Sequence, residues 1–166
     1  MNVLRPIKYY YLKIKRHRGT PQSLAGGIAL GVFIGLTPTL PFHTFLIIAI
    51  CFFTRTSAVT AIAVSWFVSN PLTFFPIYYF AAQVGNRLTP YSLQMSTVAS
   101  IIEQFQMGHG FSEVLAILFN AGSEAVIVLL VGGFIIAAPI GILSYYLSLA
   151  VLLAISKKRA QKRQLL

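Results

Sequence analysis

The side chains in this sequence that could bind a ligand or move a proton lie next to prolines, inside otherwise apolar stretches. Four polar residues follow or flank two proline-containing interruptions: His43, Thr44, Asn70 and Thr73. Burying such groups in apolar surroundings without a hydrogen-bond partner is costly. Two interpretations are therefore open. Either the four groups hydrogen-bond to one another at the interruptions, or they bind the polar head of a substrate or a proton.

Three charged residues within the apolar part of the chain widen the range of chemistry. Arg55 and Arg87 each follow an apolar stretch. An arginine there acts either as an interfacial anchor or as a bidentate partner for a phosphate or carboxylate. Glu124 stands among apolar residues, where an acid is a functional suspect if it lies in a membrane. The preceding Gly122-Ser123 leaves a second interpretation open, in which the acid marks the start of a helix.

The sequence carries no arrangement of residues typical of an enzyme. It has one cysteine, no aspartate, three glutamates and three histidines. It also lacks the serine-hydrolase, zinc-protease and phosphate-loop motifs. An intramembrane enzyme would need Glu124 to lie beside His43, the one acid–base pair available. We therefore predict no enzymatic activity, no catalytic residues, no metal site and no cofactor.

Composition indicates the solvent in which these residues act. The chain of 166 residues is 57% hydrophobic and 10% charged, with a mean hydropathy of +0.77, whereas globular chains carry about 25% charged residues. Six of the 13 basic residues precede residue 19 and five follow residue 156. The net charge of +10 therefore belongs to two tails rather than to a basic face, which argues against nucleic acid as a partner. It predicts a membrane protein with both termini cytoplasmic.

The positions that carry these charges divide the chain into three parts. Residues 1–18 mix bases with regularly spaced apolar side chains and are expected to form a basic amphipathic helix at the cytoplasmic interface. Residues 19–155 form a single transmembrane domain, and residues 156–166 form a basic cytoplasmic tail. Both basic ends are expected to contact anionic lipid headgroups.

Within the transmembrane domain, two apolar segments are interrupted. The segments cover residues 23–53 and 57–86, and the predicted breaks lie at four prolines: Pro38, Pro41, Pro71 and Pro76. Each half is shorter than the roughly 20 residues that a helical span needs. The segments are thus either re-entrant hairpins or full, kinked spans. If both are hairpins, both arginines lie on the cytoplasmic side. A shift of 33 residues superposes the two segments, with Pro38 on Pro71.

The remainder of the domain is predicted to contain a linker and a second pair of helices. Residues 87–112 form the linker, with a surface helix around Val98. Residues 113–155 form a transmembrane hairpin whose turn falls near Pro139, because an apolar stretch of this length exceeds a single untilted span.

Glycines in the first segment indicate close helix packing. Gly27, Gly31 and Gly35 recur at four-residue steps, which places them along one face of a helix and lets another backbone approach. We expect this face to make a contact within the chain or between subunits of a homo-oligomer.

Several of these elements together resemble the bacterial domain-of-unknown-function 2062 family. The resemblance covers about residues 19–153 and is carried by Gly31-Val32-Phe33-Ile34-Gly35, by His43-Thr44 and by Asn70-Pro71-Leu72-Thr73. It implies a small integral protein of the bacterial cytoplasmic membrane and no particular activity. The family positions that this sequence matches are Gly31, Gly35, Pro38, Thr44, Arg55, Asn70, Pro71 and Thr73. The chain departs from the pattern at Pro41-Phe42, where a glycine is usual, and at Ser57, where an asparagine often stands.

We therefore expect an all-α, multi-pass membrane protein with two proline-interrupted hairpins and a C-terminal transmembrane hairpin. It would bind or transport a small or amphiphilic solute, lipid-linked or anionic, at a midplane site formed by the two breaks. The seven predicted contact residues are His43, Thr44, Asn70, Thr73, Arg55, Arg87 and Glu124. The alternative is a non-transporting scaffold or accessory subunit, in which the broken segments serve packing and oligomerisation only.

Overall fold

The computed structural model describes residues 19–39, 42–106 and 111–164, and all regular structure in these ranges is helical. The six helices are α1 (Pro21–Leu36), α2 (His43–Thr54), α3 (Ala58–Val68), α4 (Pro71–Leu88), α5 (Met95–Gln106) and α6 (Phe111–Gln164). The predicted all-α class is confirmed. The predicted interfacial helix over residues 1–18, like Pro41, lies outside the described residues.

The first segment folds back on itself. Helix α1 ends at Leu36, where Thr37 adopts an extended conformation, and α2 begins at His43. The end of α2 returns to the start of α1, because the Ser23 hydroxyl donates to the carbonyl of Arg55 across 3.3 Å. Helices α1 and α2 therefore form a hairpin whose two open ends lie together.

Helix α3 then runs parallel to α1 along its glycine face. A Cβ atom added to Gly31 would lie 2.5 Å from the carbonyl oxygen of Ala61, and one added to Gly35 would lie 3.0 Å from Val68. Gly27 faces Ser57 in the same way. The backbones can approach this closely only because none of the three residues has a side chain.

Helix α6 packs against both α1 and α4. Gly133 lies against Pro38, and Gly141 lies against Phe33, so α6 runs antiparallel to α1. On another face of α6, Gly132 lies against Ala81 of α4. Gly85 of α4 meets Val128 of α6, which shows that α4 also runs opposite to α6.

The second segment does not fold back. Helices α3 and α4 differ in direction by 86°, and α4 continues to the end of α6 that lies away from the α1–α2 hairpin. The two segments thus differ in kind, and the expectation that Pro76 forms a break is wrong. Pro76 lies inside α4, five residues after its first residue.

The predicted C-terminal hairpin is also wrong. Helix α6 passes through Pro139 without a turn. It is kinked at Gly122, whose φ of 82° and ψ of 155° interrupt the helical backbone. A proline removes only one intrahelical hydrogen bond, and apolar helices packed on their neighbours tolerate the loss. The basic residues after position 156 continue the helix as far as Gln164. The predicted linker, residues 87–112, begins within the last turn of α4 and contains α5.

The outer surface of these helices is apolar. Phe53, Phe67 and Leu72 are 83%, 83% and 87% exposed. One stretch of α6, Gly122–Lys158, is long and apolar enough to cross a membrane, with a mean hydropathy of 2.8 over its most apolar window. Only a third of that window is buried inside the protein, unlike the core helix of a soluble domain. Helices α3 and α4 would together supply a second span if the bent pair counts as one.

Candidate functional site

The first break is held by a few local contacts. The Thr37 hydroxyl donates to the carbonyl of Phe33 across 2.8 Å, and the Thr39 hydroxyl lies 3.4 Å from Nδ1 of His43. His43 is 7% exposed, and its Nε2 has no hydrogen-bond partner among the residues that the structure describes. Thr44 is exposed on the outer face of α2. The two polar groups of this predicted pair therefore point to different environments.

The second break is fully capped by its own side chains. The Asn70 Oδ1 accepts hydrogen bonds from the backbone N–H groups of Leu72 and Thr73, at 3.0 and 3.2 Å. In return the Thr73 hydroxyl accepts from the Asn70 N–H at 3.0 Å and donates to the carbonyl of Val68 at 2.6 Å. This is a capping box. Asn70 and Thr73 thus use their polar atoms to end α3 and begin α4.

The two breaks lie close together beside α6. Gly35, near the end of α1, packs against Val68, the last residue of α3. Pro38, within the first break, packs against Gly133 of α6. Each break nevertheless keeps its own hydrogen bonds, and the described polar contacts of His43 and Asn70 are both to residues of their own break. The four predicted residues do not form one shared polar site.

The two interior arginines lie at different levels along α6. Arg55 follows α2 at the level of Tyr145, since its neighbours line the same groove as that residue. Arg87 lies in the last turn of α4, two residues after the contact between Gly85 and Val128. Val128 and Tyr145 are roughly 17 residues apart, which is about 25 Å of helix. The two arginines therefore lie at levels about 25 Å apart along α6.

Arg55 has an unusual backbone. Its φ is 54°, in the left-handed region, where it ends α2 in the position that glycine most often occupies. A side chain other than glycine pays about 1 kcal/mol for this conformation. The side chain itself is exposed.

Glu124 lies at the other end of α6, beside a small polar cavity. The cavity has a volume of about 260 Å³. It is bordered by Glu124, by Tyr91 and Gln94 in the chain between α4 and α5, and by Thr97 in the first turn of α5. That connection is fixed by Asn86, whose side chain accepts from the Leu93 N–H at 2.7 Å and donates to the Leu93 carbonyl at 2.9 Å. Glu124 and His43 thus belong to different surroundings. Among the described residues, no three His, Cys, Asp or Glu side chains are grouped as metal ligands.

A larger apolar groove lies between the α1–α2 hairpin and α6. Its volume is about 420 Å³, and its lining comes from three parts of the chain: Gly26, Ala29, Leu30, Phe33, Thr54, Thr56, Ala138, Gly141, Ile142, Tyr145 and Tyr146. Its polar groups are few. The hydroxyls of Thr54 and Thr56 lie 2.9 Å apart at the rim, and two tyrosines contribute to the wall. We call this the α1–α6 groove.

The residues of the α1–α6 groove were not predicted from the sequence. Apart from the threonines and tyrosines they are apolar or glycine, and those on α1 lie more than 100 positions from those on α6. One signal was present, since Gly141 permits the close approach of Phe33 in α1. None of the seven predicted contact residues lines the groove, although Arg55 stands between Thr54 and Thr56.

The fold and the surface define an all-helical protein with a helix able to cross a membrane. Within that class, the family model described as "Uncharacterized protein conserved in bacteria (DUF2062)" matches residues 4–161, and the chain belongs to this family. The predicted resemblance is confirmed and extends to nearly the whole chain. No curated protein and no solved structure matches it.

Proposed function

We propose that the chain is a multi-pass protein of the bacterial cytoplasmic membrane with one re-entrant hairpin and two spans. The α1–α2 hairpin enters and leaves on one side, α3 and α4 cross as a bent span, and α6 crosses back. The separation of about 25 Å between the levels of Arg55 and Arg87 supports this, because it approaches the roughly 30 Å of a hydrocarbon core. Lys157 lies in the part of α6 that continues past Tyr145 at the Arg55 end, which makes that side cytoplasmic under the positive-inside rule.

We infer that the function is to bind an amphiphilic molecule in the α1–α6 groove. The observation that carries this proposal is the groove itself, whose volume of about 420 Å³ falls within the range of ligand sites. Apolar walls suit a hydrocarbon chain, and the threonine hydroxyls at the rim suit a polar head. The proposal gives the protein a binding role without catalysis. A stronger version of this proposal is that the protein also moves the amphiphile between leaflets. A lipid-scrambling assay in proteoliposomes measures such movement.

A tryptophan placed in the groove tests the proposal. Ala138 lines the groove, so Ala138→Trp fills it, whereas Ala150 lies exposed on the same helix and Ala150→Trp serves as a matched control. Native mass spectrometry of the purified full chain in lipid discs counts the lipids that stay bound. We expect the wild type and the control to keep at least one lipid that Ala138→Trp loses. Equal retention by a folded Ala138→Trp variant would refute binding in the groove.

The membrane arrangement needs its own test. The single cysteine, Cys51, is buried and can be replaced by alanine, after which a cysteine is placed at Arg55 or Arg87. In intact cells, a membrane-impermeant reagent should label the second position and spare the first. Labelling of both positions from outside, or of neither, contradicts the proposed topology.

A second candidate function is a scaffold that assembles copies of the chain. The saturated capping box at Asn70 and the packed glycine face of α1 favour it, because both show the broken segments in structural roles. In that case Ala138→Trp leaves lipid retention unchanged. Native mass spectrometry would then report a defined oligomer in both variants.

A further inference from the structure

We propose that Arg55 forms the headgroup end of the α1–α6 groove, and that the groove takes an anionic phospholipid from the cytoplasmic leaflet. This inference rests on the proposed function and adds the charge class of the ligand and the leaflet that supplies it. It also assigns different roles to Arg55 and Arg87, because only Arg55 adjoins the groove.

The position of Arg55 follows from its two neighbours. Thr54 and Thr56 both line the groove, and Arg55 lies between them in a turn whose backbone is fixed. The Ser23 hydroxyl donates to the Arg55 carbonyl at 3.3 Å, and the Ser57 N–H donates to the Ser23 carbonyl at 3.0 Å. The guanidinium therefore extends from an anchored point beside the rim.

Neither of the two glutamates whose side chains are described, Glu103 and Glu124, competes for this guanidinium. Glu124 borders the cavity near Val128, and Glu103 lies on α5, which follows the Arg87 end of α4. The exposed side chain of Arg55 can thus meet a headgroup. A guanidinium binds a phosphate with two parallel hydrogen bonds. The Thr54 hydroxyl donates to the carbonyl of Ile50 across 2.7 Å and accepts from Thr56 across 2.9 Å, so the donors for the headgroup come from the guanidinium.

The backbone of Arg55 gives an independent reason to assign its side chain a role. A left-handed residue at the end of a helix is usually glycine, because glycine alone adopts this conformation without strain. This chain instead carries an arginine there. Arg55→Gly would therefore relieve the strain and remove the charge in one step, so its effects on stability and on binding should have opposite signs.

The basic residues near the end of α6 indicate which leaflet supplies the lipid. Lys157 and Lys158 are exposed and continue α6 beyond the groove, at the end where Arg55 lies. Basic residues close to the surface attract anionic lipids. The groove beside Arg55 would admit such a lipid sideways, with its chains along the apolar wall near Phe33.

The experiment compares two lipids that differ in headgroup charge. The purified full chain is incorporated in discs containing equal amounts of phosphatidylglycerol and phosphatidylcholine, and native mass spectrometry measures which lipid stays bound. Wild type should retain phosphatidylglycerol in preference. Arg55→Gly should reduce that preference roughly tenfold, as expected for the loss of a charged hydrogen bond, with an unchanged or higher melting temperature. Arg55→Lys should keep most of the preference, and Arg87→Gly should keep all of it.

The outcomes separate this inference from the proposed function. If Arg55→Gly keeps the preference, or if Arg87→Gly loses as much of it, the inference is overturned. Displacement of the bound lipid by inorganic phosphate alone would also overturn it, because the groove would then not select a lipid. Should Arg55→Gly fail to fold, Arg55→Gln replaces it with the same expectation for binding. Lipid retention that Ala138→Trp does not change refutes the groove itself, whatever the arginine variants show.

Discussion

The two proline breaks look alike in sequence and differ in structure. At the first, α1 ends at Leu36 and six residues separate it from α2, which runs back toward the start of α1. At the second, two residues separate α3 from α4, and the chain bends by 86° and moves on. Pro38 and Pro71 correspond under a 33-residue shift, yet one lies in a loop and the other is the first residue of a helix.

The difference comes from the residues around each proline. Asn70 and Thr73 satisfy the free N–H groups of a new helix at once, and Pro71 has the backbone angle that a first helical turn requires. At the first break, Thr37 bonds back to α1 instead, and α2 begins at His43 after Phe42, an N-cap residue that makes no side-chain cap hydrogen bond. At both breaks a helix ends close to a proline, whereas the capping residues decide how soon the next helix begins and in which direction.

A substitution that forces α1 and α3 apart should lower the stability of the protein the most. Gly31→Ala is expected to cost about 2 kcal/mol of stability, because the new methyl group would meet the carbonyl of Ala61. In an exposed helix the same change would add about 1 kcal/mol, so the sign is diagnostic. Thermal unfolding in detergent measures it, with Ala63→Leu on the exposed face of α3 as the control. A stabilised Gly31→Ala protein would disprove the close contact.

Removing the cap of the second break should have an intermediate effect. Asn70→Ala is expected to cost about 1–2 kcal/mol, since two backbone N–H groups lose their acceptor. Thr39→Ala at the first break should cost only a few tenths, because its contacts are 3.4 Å long. Similar losses for the two variants in the same unfolding assay would mean that the breaks are held in the same way.

Replacing the histidine of the first break should have the smallest effect. His43→Leu removes a weak contact to Thr39 and a buried Nε2 without a described partner, so stability should stay within about 0.5 kcal/mol of the wild type. The free energies of unfolding of His43→Leu and Asn70→Ala are measured in the same assay and compared. A loss as large as that of the asparagine variant would show that His43 is hydrogen-bonded within the first break after all.

The sequence predicts those features of the fold that depend on contacts between neighbouring residues, and it does not predict those that depend on distant residues. The breaks at Pro38 and Pro71 were predictable, because each requires only adjacent residues. The predictions of a break at Pro76 and of a turn near Pro139 were wrong, since a proline with no capping residue beside it can remain inside a helix. The capping box itself was legible as Asn70-Pro71-Leu72-Thr73, and its saturation explains why these side chains hold the fold rather than a shared ligand site.

The groove was not predictable for a different reason. Its walls come from α1, from the turn at Thr54 and Thr56 and from the middle of α6, and no short spacing joins them. The glycines show the same limit. The regular series in α1 was visible, but the contact of Gly85 with Val128 pairs residues 43 positions apart, and only the docking of α4 on α6 brings them together.

The meeting of the two breaks also has an electrostatic consequence. The carboxyl ends of α1 and α3 and the amino ends of α2 and α4 come together beside Gly133 of α6. Each helix end carries about half an elementary charge, negative at the carboxyl end and positive at the amino end. Two positive poles therefore lie beside two negative ones, and the four dipoles largely offset one another. Four helix termini can then share an apolar medium without a formal charge to neutralise them.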